Sequence, residues 1–485
     1  MPPLMKTLLR LVGWLLAGML TLALLAVTIF WLINRKDEAL LPEVAQAIAF
    51  TPPPPEAMQR NAYFVLLGLG APVGEDALVA GMRFFAAQMQ DYADRRQTGE
   101  AQSSTAQALP HQPLDINALR CPVERDDCLE YWLPRQCAIR AALKQYAHVL
   151  RRYRSLLEMP EYEEVIPPDL AVAMPYYGDL VAASDLVLMQ AALLLHEGDA
   201  TQALLLLEHN ARLHQRLMAG SRTLIGGMIA LSMQMRQQRI VSHLLLRHPV
   251  LARAHMARWQ AALSSEADLS AALAGEGRWM VSSFNTDMSQ ELRRLAVGNF
   301  PGKDEASMAA RLEKTLAISQ KFYLHHETLN RFYRAYRVAM RLADVPADQI
   351  DAQVTRVAQE QVIIGQPWWK RPYFGLRNQL GNILLEMGQP DIQRYIERAH
   401  DVEGHRRLVL LQLAAYGAGL EAADMPDWLA KSPEALRNPY TLAPMGWEAD
   451  KSPSKAGGSL VFQGRQPQVQ NPARSPVYRV RIFVH

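Results

Sequence analysis

The chain has 485 residues, of which 49% are hydrophobic and 20% charged, with 51 Lys and Arg residues against 48 Asp and Glu residues. A chain of this length and composition can bury a large core, which excludes a disordered or fibrous protein. The charges nearly balance and form no long run of one sign, so we expect no nucleic-acid partner.

An apolar stretch without charge, residues 11–33, follows a short N-terminal tail. As a helix it would be about 35 Å long, enough to cross a hydrocarbon core of about 30 Å. Trp14 and Trp31 lie near its ends, where indole rings favour the membrane interface. The stretch exceeds the about 7 to 15 apolar residues of a usual signal peptide. We therefore predict an anchor in the lipid bilayer, rather than a cleaved signal peptide or a buried soluble helix.

Basic residues flank this stretch on both sides, with Lys6 and Arg10 before it and Arg35 and Lys36 after it. The nearly equal counts make the positive-inside rule weak here. The short basic tail is typical of a signal-anchor, which favours a cytoplasmic N-terminus and an exported body. We expect a single-pass protein of the bacterial inner membrane with a periplasmic body.

Three cysteines occur, Cys121, Cys128 and Cys137. In an oxidising compartment Cys121 and Cys128, which lie in one polar stretch, can form a loop-closing disulfide. Free thiols are the alternative, and both interpretations stay open. The spacing does not match a zinc ribbon or zinc finger, so we expect no metal ion at these residues.

The pattern of apolar residues predicts a mainly α protein with one N-terminal transmembrane helix, an irregular multi-helix body and a small C-terminal β-hairpin. Four prolines at residues 52–55 predict a stiff spacer that holds the body off the membrane. The predicted parts are a cytoplasmic tail (1–10), the anchor (11–33), a juxtamembrane segment with the spacer (34–56), the helical domain (57–425) and a Pro/Gly-rich segment with the hairpin (426–485).

Helical periodicity continues through most of the body. The clearest pair is a helical hairpin that turns at Glu197, Gly198 and Asp199, where Gly suits a helix C-cap and Asp the next N-cap. No similar turn recurs at a 34-residue step, so a regular repeat array is not supported, while a solenoid of irregular helix pairs stays open. Later helices are predicted at 224–247, 255–263, 268–297, 304–342, 349–364, 376–387, 391–399 and 403–422.

The C-terminal residues alternate as a strand does, with Tyr478, Val480 and Ile482 on one face. Residues 459–462 are a plausible partner strand. The anchor, the irregular helices, the segments at 377–382 (RNQLGN), 437–440 (RNPY) and 445–447 (MGW) and this strand pair together resemble a diffuse group of uncharacterised bacterial membrane-anchored envelope proteins. The resemblance covers most of the chain and implies location, without implying an activity.

Two stretches have spacings that metal sites use. Glu397 and His400 lie three apart on a predicted helix, with Glu403 and His405 just after them. We expect a solvated helix end there, because a second copy of the motif is missing. Residues 325–327 (HHE) sit inside the predicted helix 304–342, where adjacent side chains point about 100° apart and cannot jointly bind one ion. We expect no metal and no cofactor.

An acidic run contains Glu158, Glu161, Glu163 and Glu164. A wall-cutting glycosidase needs a carboxyl with a raised pKa inside a cleft. Prolines flank this run, so we expect a solvated acidic loop whose carboxyl groups titrate normally. No P-loop or nucleophile-elbow sequence is present either.

One unusual segment contains four aromatic and two basic residues within a short stretch of sequence: Trp368, Trp369, Lys370, Arg371, Tyr373 and Phe374. Trp, Tyr and Arg are typical of interfaces, so this segment is predicted to contact a partner or the membrane surface. The alternative is that the two Trp side chains fill the core.

We expect a non-enzymatic envelope scaffold that docks another envelope protein. The alternative is an envelope hydrolase, directed at the cell wall or at lipid, with a site assembled from dispersed residues.

Overall fold

The computed structural model describes residues 3–98, 113–123, 125, 127–169, 172–285, 323–360, 376–387, 392–450, 457–465 and 476–483. Its helices are α1 (Pro3–Asn34), α2 (Pro42–Ile48), α3 (Pro55–Arg60), α4 (Ala62–Leu67), α5 (Ala77–Thr98), α6 (Cys128–Trp132), α7 (Gln136–Gln145), α8 (Ala147–Glu158), α9 (Tyr177–His196), α10 (Ala200–Gly220), α11 (Leu224–Arg247), α12 (Pro249–Ala254), α13 (Met256–Ala262), α14 (Ser270–Asn285), α15 (His325–Met340), α16 (Ile350–Glu360), α17 (Gln379–Met387), α18 (Ile392–Ala418) and α19 (Met425–Ala430). Its strands are β1 (Gly446–Ala449), β2 (Gly457–Gln463) and β3 (Val477–Phe483). The predicted mainly α fold class is confirmed.

Two helices are long and apolar enough to cross a membrane. The span Leu11–Asn34 of α1 has a mean hydropathy of 2.4, and none of its most apolar window is buried in the protein. Helix α9 has a mean hydropathy of 1.6, but 83% of its window is buried, so it is a core helix. Helix α1 is therefore compatible with a single-pass membrane anchor, although a signal sequence near an N-terminus can meet the same two criteria.

The centre of the body is built around α9, α10 and α11, which pack against one another, while α18 packs on α11. The predicted hairpin between α9 and α10 is confirmed. Gly198 adopts a φ of +91°, which only Gly reaches without strain, and the Asp199 carboxylate accepts a hydrogen bond from the Gln202 amide at 3.1 Å. Local cap residues thus bring two apolar helices side by side.

The segment after α1 differs from the predicted spacer. Residues 51–54 are not helical, as expected, but Pro55 begins α3, and α2 packs against α14 and α15. Val44 and Ala47, three positions apart on α2, are both buried. Packing this short apolar face on the body removes apolar surface from water, which lowers the free energy. The juxtamembrane chain therefore lies on the body and does not form a spacer.

Two helix boundaries also differ from the predictions. The helix expected at 304–342 is not continuous, because residues 323 and 324 are not helical and α15 begins at His325; residues 304–322 lie outside the described residues. The two helices expected at 391–399 and 403–422 form one continuous helix, α18. Position 404 of α18 is a glycine, and the Phe462 ring of β2 occupies the space that a side chain there would need.

We expect Gly404→Ala to destabilise the protein by about 1 to 2 kcal/mol, despite the better helix propensity of Ala. An added Cβ would lie 2.4 Å from two ring atoms of Phe462. The measurement is urea denaturation of the detergent-solubilised chain. Gly178→Ala is the control, since no heavy atom lies within 4 Å of a Cβ there. If both variants gain stability equally, the Gly404 contact does not constrain the substitution.

The C-terminal segment forms a three-stranded antiparallel sheet in the order β1-β2-β3. The predicted pairing of the last two strands is confirmed, with Leu460 opposite Val480 and Phe462 opposite Tyr478. Strand β1 was not predicted, because its four residues are mostly exposed and lack alternation. Buried Leu460 and Val480 face α18 and α11, which fixes the sheet against the helical body.

Candidate functional site

Helix α1 ends in a buried polar junction with the body, hereafter the α1 junction, formed by residues 33–41, 324–331 and 376–382. Asn34, the last residue of α1, is only 2% exposed. Its side-chain Nδ2 donates to the Leu376 carbonyl at 2.9 Å, and its Oδ1 accepts from the Asn378 backbone amide at 2.8 Å. The end of the apolar helix is therefore bonded to a segment more than 300 positions away in the chain.

Arg377 links the end of α1 to α15. Its Nε donates to Glu327 Oε2 at 2.7 Å, while its two terminal nitrogens donate to the carbonyls of Ile33 and Lys36, the latter at 3.1 Å. The last carbonyls of a helix have no partner within the helix, and a cation there also complements the helix dipole. Burial raises the pKa of Glu327, and Arg377 and Arg331 oppose that rise.

Asp37 caps α15 from outside that helix. Its carboxylate accepts hydrogen bonds from the backbone amides of His326 at 2.8 Å and Glu327 at 3.0 Å. The residue that precedes the helix, Leu324, supplies no side-chain cap. A carboxylate at a helix N-terminus satisfies free amides and favours the helix dipole, so the chain leaving α1 completes α15.

Two fully buried asparagines hold the three segments together. Asn330 donates from Nδ2 to the Ala39 carbonyl at 2.9 Å and accepts from the Leu41 amide at 3.0 Å. Asn378, with a φ of +53°, accepts from the Leu324 amide at 3.0 Å and donates to Thr328 Oγ1 at 2.9 Å. Asn is one of the few side chains that tolerates this left-handed conformation. These bonds fix the direction in which α1 leaves the body.

The sequence did not predict the α1 junction, although two of its parts were noticed for other reasons. Segment 377–382, one of the motifs behind the resemblance, supplies Arg377 and Asn378. The stretch His325–Glu327, considered for metal binding, instead presents backbone amides to Asp37. A useful clue was the polar composition of residues 34–38, directly after an apolar helix, but their partners are too distant in sequence to be inferred.

The structure joins Cys121 and Cys128 in a disulfide, while Cys137 is free and exposed. Arg239 of α11 holds the enclosed loop by donating to the carbonyls of Pro122 and Arg125, the latter at 2.9 Å. The loop is thereby docked on the central helix of the body.

The predicted interface residues lie outside the described residues: Trp368, Trp369, Lys370, Arg371, Tyr373 and Phe374. Leu376, the first described residue after that segment, is 46% exposed and lies in the α1 junction. The interface prediction stays a prediction.

The expected solvated helix end at residues 397–405 is wrong, because these residues lie in the middle of α18, against the body. His405 is 6% exposed and its Nδ1 lies 3.0 Å from Gln238 Oε1 of α11. Glu403 pairs instead with the neighbouring Arg406 and Arg407 at 2.7 and 2.9 Å. The side chains diverge to different partners. Within the described ranges, no group of three or more His, Cys, Asp or Glu side chains is arranged to hold a metal ion.

The expectation of a solvated acidic loop is wrong for Glu164, although Glu158, Glu161 and Glu163 are exposed. Glu164 is only 4% exposed. Its Oε2 accepts from the backbone amides of Arg222 at 2.8 Å and Thr223 at 3.0 Å, directly before α11. The Thr223 hydroxyl also donates to Oε2, at 3.0 Å, and the Tyr177 hydroxyl donates to Oε1, at 2.8 Å. Burial raises the pKa of Glu164.

A second acidic residue, Glu276 of α14, caps the same helix. Its Oε2 accepts from the Leu224 amide, the first residue of α11, at 2.9 Å. Burial also raises the pKa of Glu276, and the nearby charge of Glu164 adds to that rise. A general acid needs a carboxyl group with a raised pKa, but both carboxylates accept hydrogen bonds from backbone amides, and Glu164 is buried while Glu276 is half-buried. Their position favours a structural role at the start of α11.

Ser184 and His214 form a buried pair that superficially resembles a nucleophile and its base. Ser184 Oγ lies 3.1 Å from His214 Nε2, and Asn210 bonds the same hydroxyl. Both residues are almost fully buried, and among the described residues His214 Nδ1 has no hydrogen-bond partner to orient the ring. Burial lowers the pKa of His214 to about 3, which makes it a weak base. The pair belongs to the core.

Asp401 of α18 fixes the C-terminal sheet to the helices. It is fully buried and accepts from the hydroxyls of Tyr440 at 2.7 Å and Tyr478 at 3.2 Å, and from the Arg465 amide at 3.0 Å. The Arg465 guanidinium lies 4.4 Å above the Tyr440 ring. One carboxylate thus connects a helix, a loop and β3, and the arrangement is structural.

Among the polar groupings described above, the α1 junction is the one that connects an exposed apolar helix with the folded body. It is the candidate functional site for this reason, as a mechanical attachment rather than a catalytic centre. Comparison of the chain with protein-family models, with curated proteins and with solved structures gives no match.

Proposed function

We propose that the chain is a membrane-anchored scaffold of the bacterial envelope, with α1 in the inner membrane and the body in the periplasm. The α1 junction carries this proposal. A helix that served only to retain a domain near lipid could be joined by any flexible linker. Here the end of α1 is bonded to two other segments through buried side chains, so the body keeps one orientation relative to α1.

A fixed orientation suits a scaffold, because a docking surface is then held at a constant height and direction from the bilayer. The disulfide between Cys121 and Cys128 is in keeping with an oxidising compartment such as the periplasm. We propose an envelope protein as the partner, and the aromatic and basic segment 368–374 as its docking point.

Topology and retention test the membrane part of this proposal. We expect the chain to stay with membranes after carbonate extraction, and a reporter active only after export to be active when fused after His485. Release by carbonate, or a mature chain that starts after residue 33, would contradict the anchor. An inactive reporter together with carbonate resistance would instead reverse the orientation.

Affinity capture from detergent-solubilised membranes tests the docking part. We expect Trp368→Ala/Trp369→Ala to lose partners that the unaltered chain retains, because aromatic side chains dominate interface energies. Trp14→Ala, on exposed α1 within the apolar stretch, is the matched control. If the double variant and the control retain the same partners, the aromatic segment is not the docking point.

A further inference from the structure

A groove of about 730 Å³ lies between α8, α9 and α10. This volume falls within the range of about 300 to 1,000 Å³ that is usual for small-molecule sites. Apolar side chains from all three helices line it: Leu157 of α8, Val187 of α9, and Leu206 and Leu213 of α10. A hydrocarbon chain placed here would exchange water for apolar contacts along its length.

Three arginines line the same groove, Arg154, Arg212 and Arg216. Arg154 donates to the Gln190 side-chain oxygen at 3.2 Å, and Arg216 donates to backbone carbonyls, among them that of Leu157 at 3.1 Å. In the part of the chain that the structure describes, none of the three forms an ion pair with a carboxylate. Glu158 is the acidic residue of the lining, so three positive charges face one negative charge.

The Tyr153 hydroxyl and the Asn210 side-chain amide in the wall of the groove already have hydrogen-bond partners, which limits where a ligand can be recognised. The Tyr153 hydroxyl donates to Asn210 Oδ1 at 2.5 Å, and Asn210 Nδ2 donates to Gln237 Oε1 at 2.8 Å. Burial, assisted by Arg212 and opposed by Glu208, lowers the pKa of His209, which favours the uncharged form of this lining residue. Charge recognition therefore falls to the arginines, and the remaining lining is suited to an alkyl chain.

We propose that this groove binds a lipid with one acyl chain and an anionic head group. The alkyl chain lies along the apolar lining, and the carboxylate or phosphate is held by Arg154, Arg212 and Arg216, whose planar guanidinium groups fit both anions. The groove between α14 and α15 also has arginines, Arg334 and Arg337, and provides an internal comparison.

The test uses the full chain in nanodiscs of zwitterionic lipid, with dodecanoic acid bearing a diazirine as the probe. After photolysis we expect labelled peptides from α8 and α10, and we expect excess dodecanoic acid to suppress the labelling. Arg154→Glu/Arg212→Glu should lower the labelling about tenfold or more, because each lost charge-assisted contact becomes a repulsion. Arg334→Glu/Arg337→Glu is the matched control and should label normally.

Competition on the unaltered chain keeps the test independent of any folding defect in the variants. Lysophosphatidic acid tests whether the site also accepts a phosphate head group, and we expect it to compete with the probe. If dodecanoic acid competes and lysophosphatidic acid does not, the site is restricted to carboxylates. Competition by neutral monoacylglycerol as strong as that by dodecanoic acid would overturn the proposal, since the arginines would then have no role. Labelling confined to α1, or unsaturable labelling, would overturn it as well.

Discussion

Glu164→Ala is expected to lower the free energy of unfolding by about 3 to 5 kcal/mol, since each buried donor left without an acceptor costs about 1 to 3 kcal/mol. The substitution leaves the amides of Arg222 and Thr223 and the hydroxyl of Tyr177 without their acceptor. Glu164→Gln keeps one acceptor oxygen and the shape of the side chain, so it should cost far less. The free energy of unfolding of both variants is measured by urea denaturation.

Glu163→Ala is the matched control, because this neighbouring carboxylate is 58% exposed and pairs with Arg222 at the surface. Exposed ion pairs contribute about 0 to 1 kcal/mol. If Glu164→Ala costs no more than Glu163→Ala, the buried carboxylate does not hold the start of α11.

The pH dependence of the same variants follows from the raised pKa of Glu164. The unfolded chain releases this proton near pH 4.3, whereas the folded chain retains it to a higher pH. The stability that comes from the raised pKa is therefore complete below about pH 4.3 and is lost as the pH rises through the folded value. Glu164→Gln lacks this loss, so its stability relative to the unaltered chain should improve as the pH rises. A difference that is independent of pH would contradict the assignment.

Features that depend on neighbouring residues could be predicted from the sequence. The turn at Gly198 and Asp199 follows from cap preferences, and β3 follows from strict alternation in a short segment. Helix α1 follows from length and apolarity alone. In each case the physical cause lies within a few residues of its effect, so one sequence contains the whole argument.

Features that depend on distant partners could not be predicted. Asn34 and Asn378 are 344 positions apart, and Asp37 caps a helix 290 positions later. Glu164 was expected in solvent because prolines and other acidic residues surround it in the sequence. Its burial depends on Arg222 and Thr223, 58 and 59 positions away. Spacing rules cannot identify these pairs, because they become neighbours only when the body packs.

The α1 junction could be tested through Arg377, and Arg377→Ala is expected to cost about 3 to 5 kcal/mol, as is usual when one partner of a buried ion pair is removed. The side chains of Arg377 and Glu327 are 15% and 4% exposed, so solvent would screen the remaining charge poorly. The substitution also removes the donors to the carbonyls of Ile33 and Lys36. Arg377→Lys keeps the charge without the planar fork, and we expect an intermediate loss.

Two measurements separate loosening of the junction from general unfolding. Amide hydrogen exchange in Arg377→Ala should rise first at His326 and Glu327, whose acceptor Asp37 belongs to the freed segment. Limited proteolysis should then cut between α1 and α2. Arg479→Ala is the control, because Arg479 and Glu448 form an ion pair in which both side chains are about half exposed. Equal exchange and equal cleavage in the two variants would mean that Arg377 does not hold α1 to the body, and the rigid attachment on which the scaffold proposal rests would fail with it.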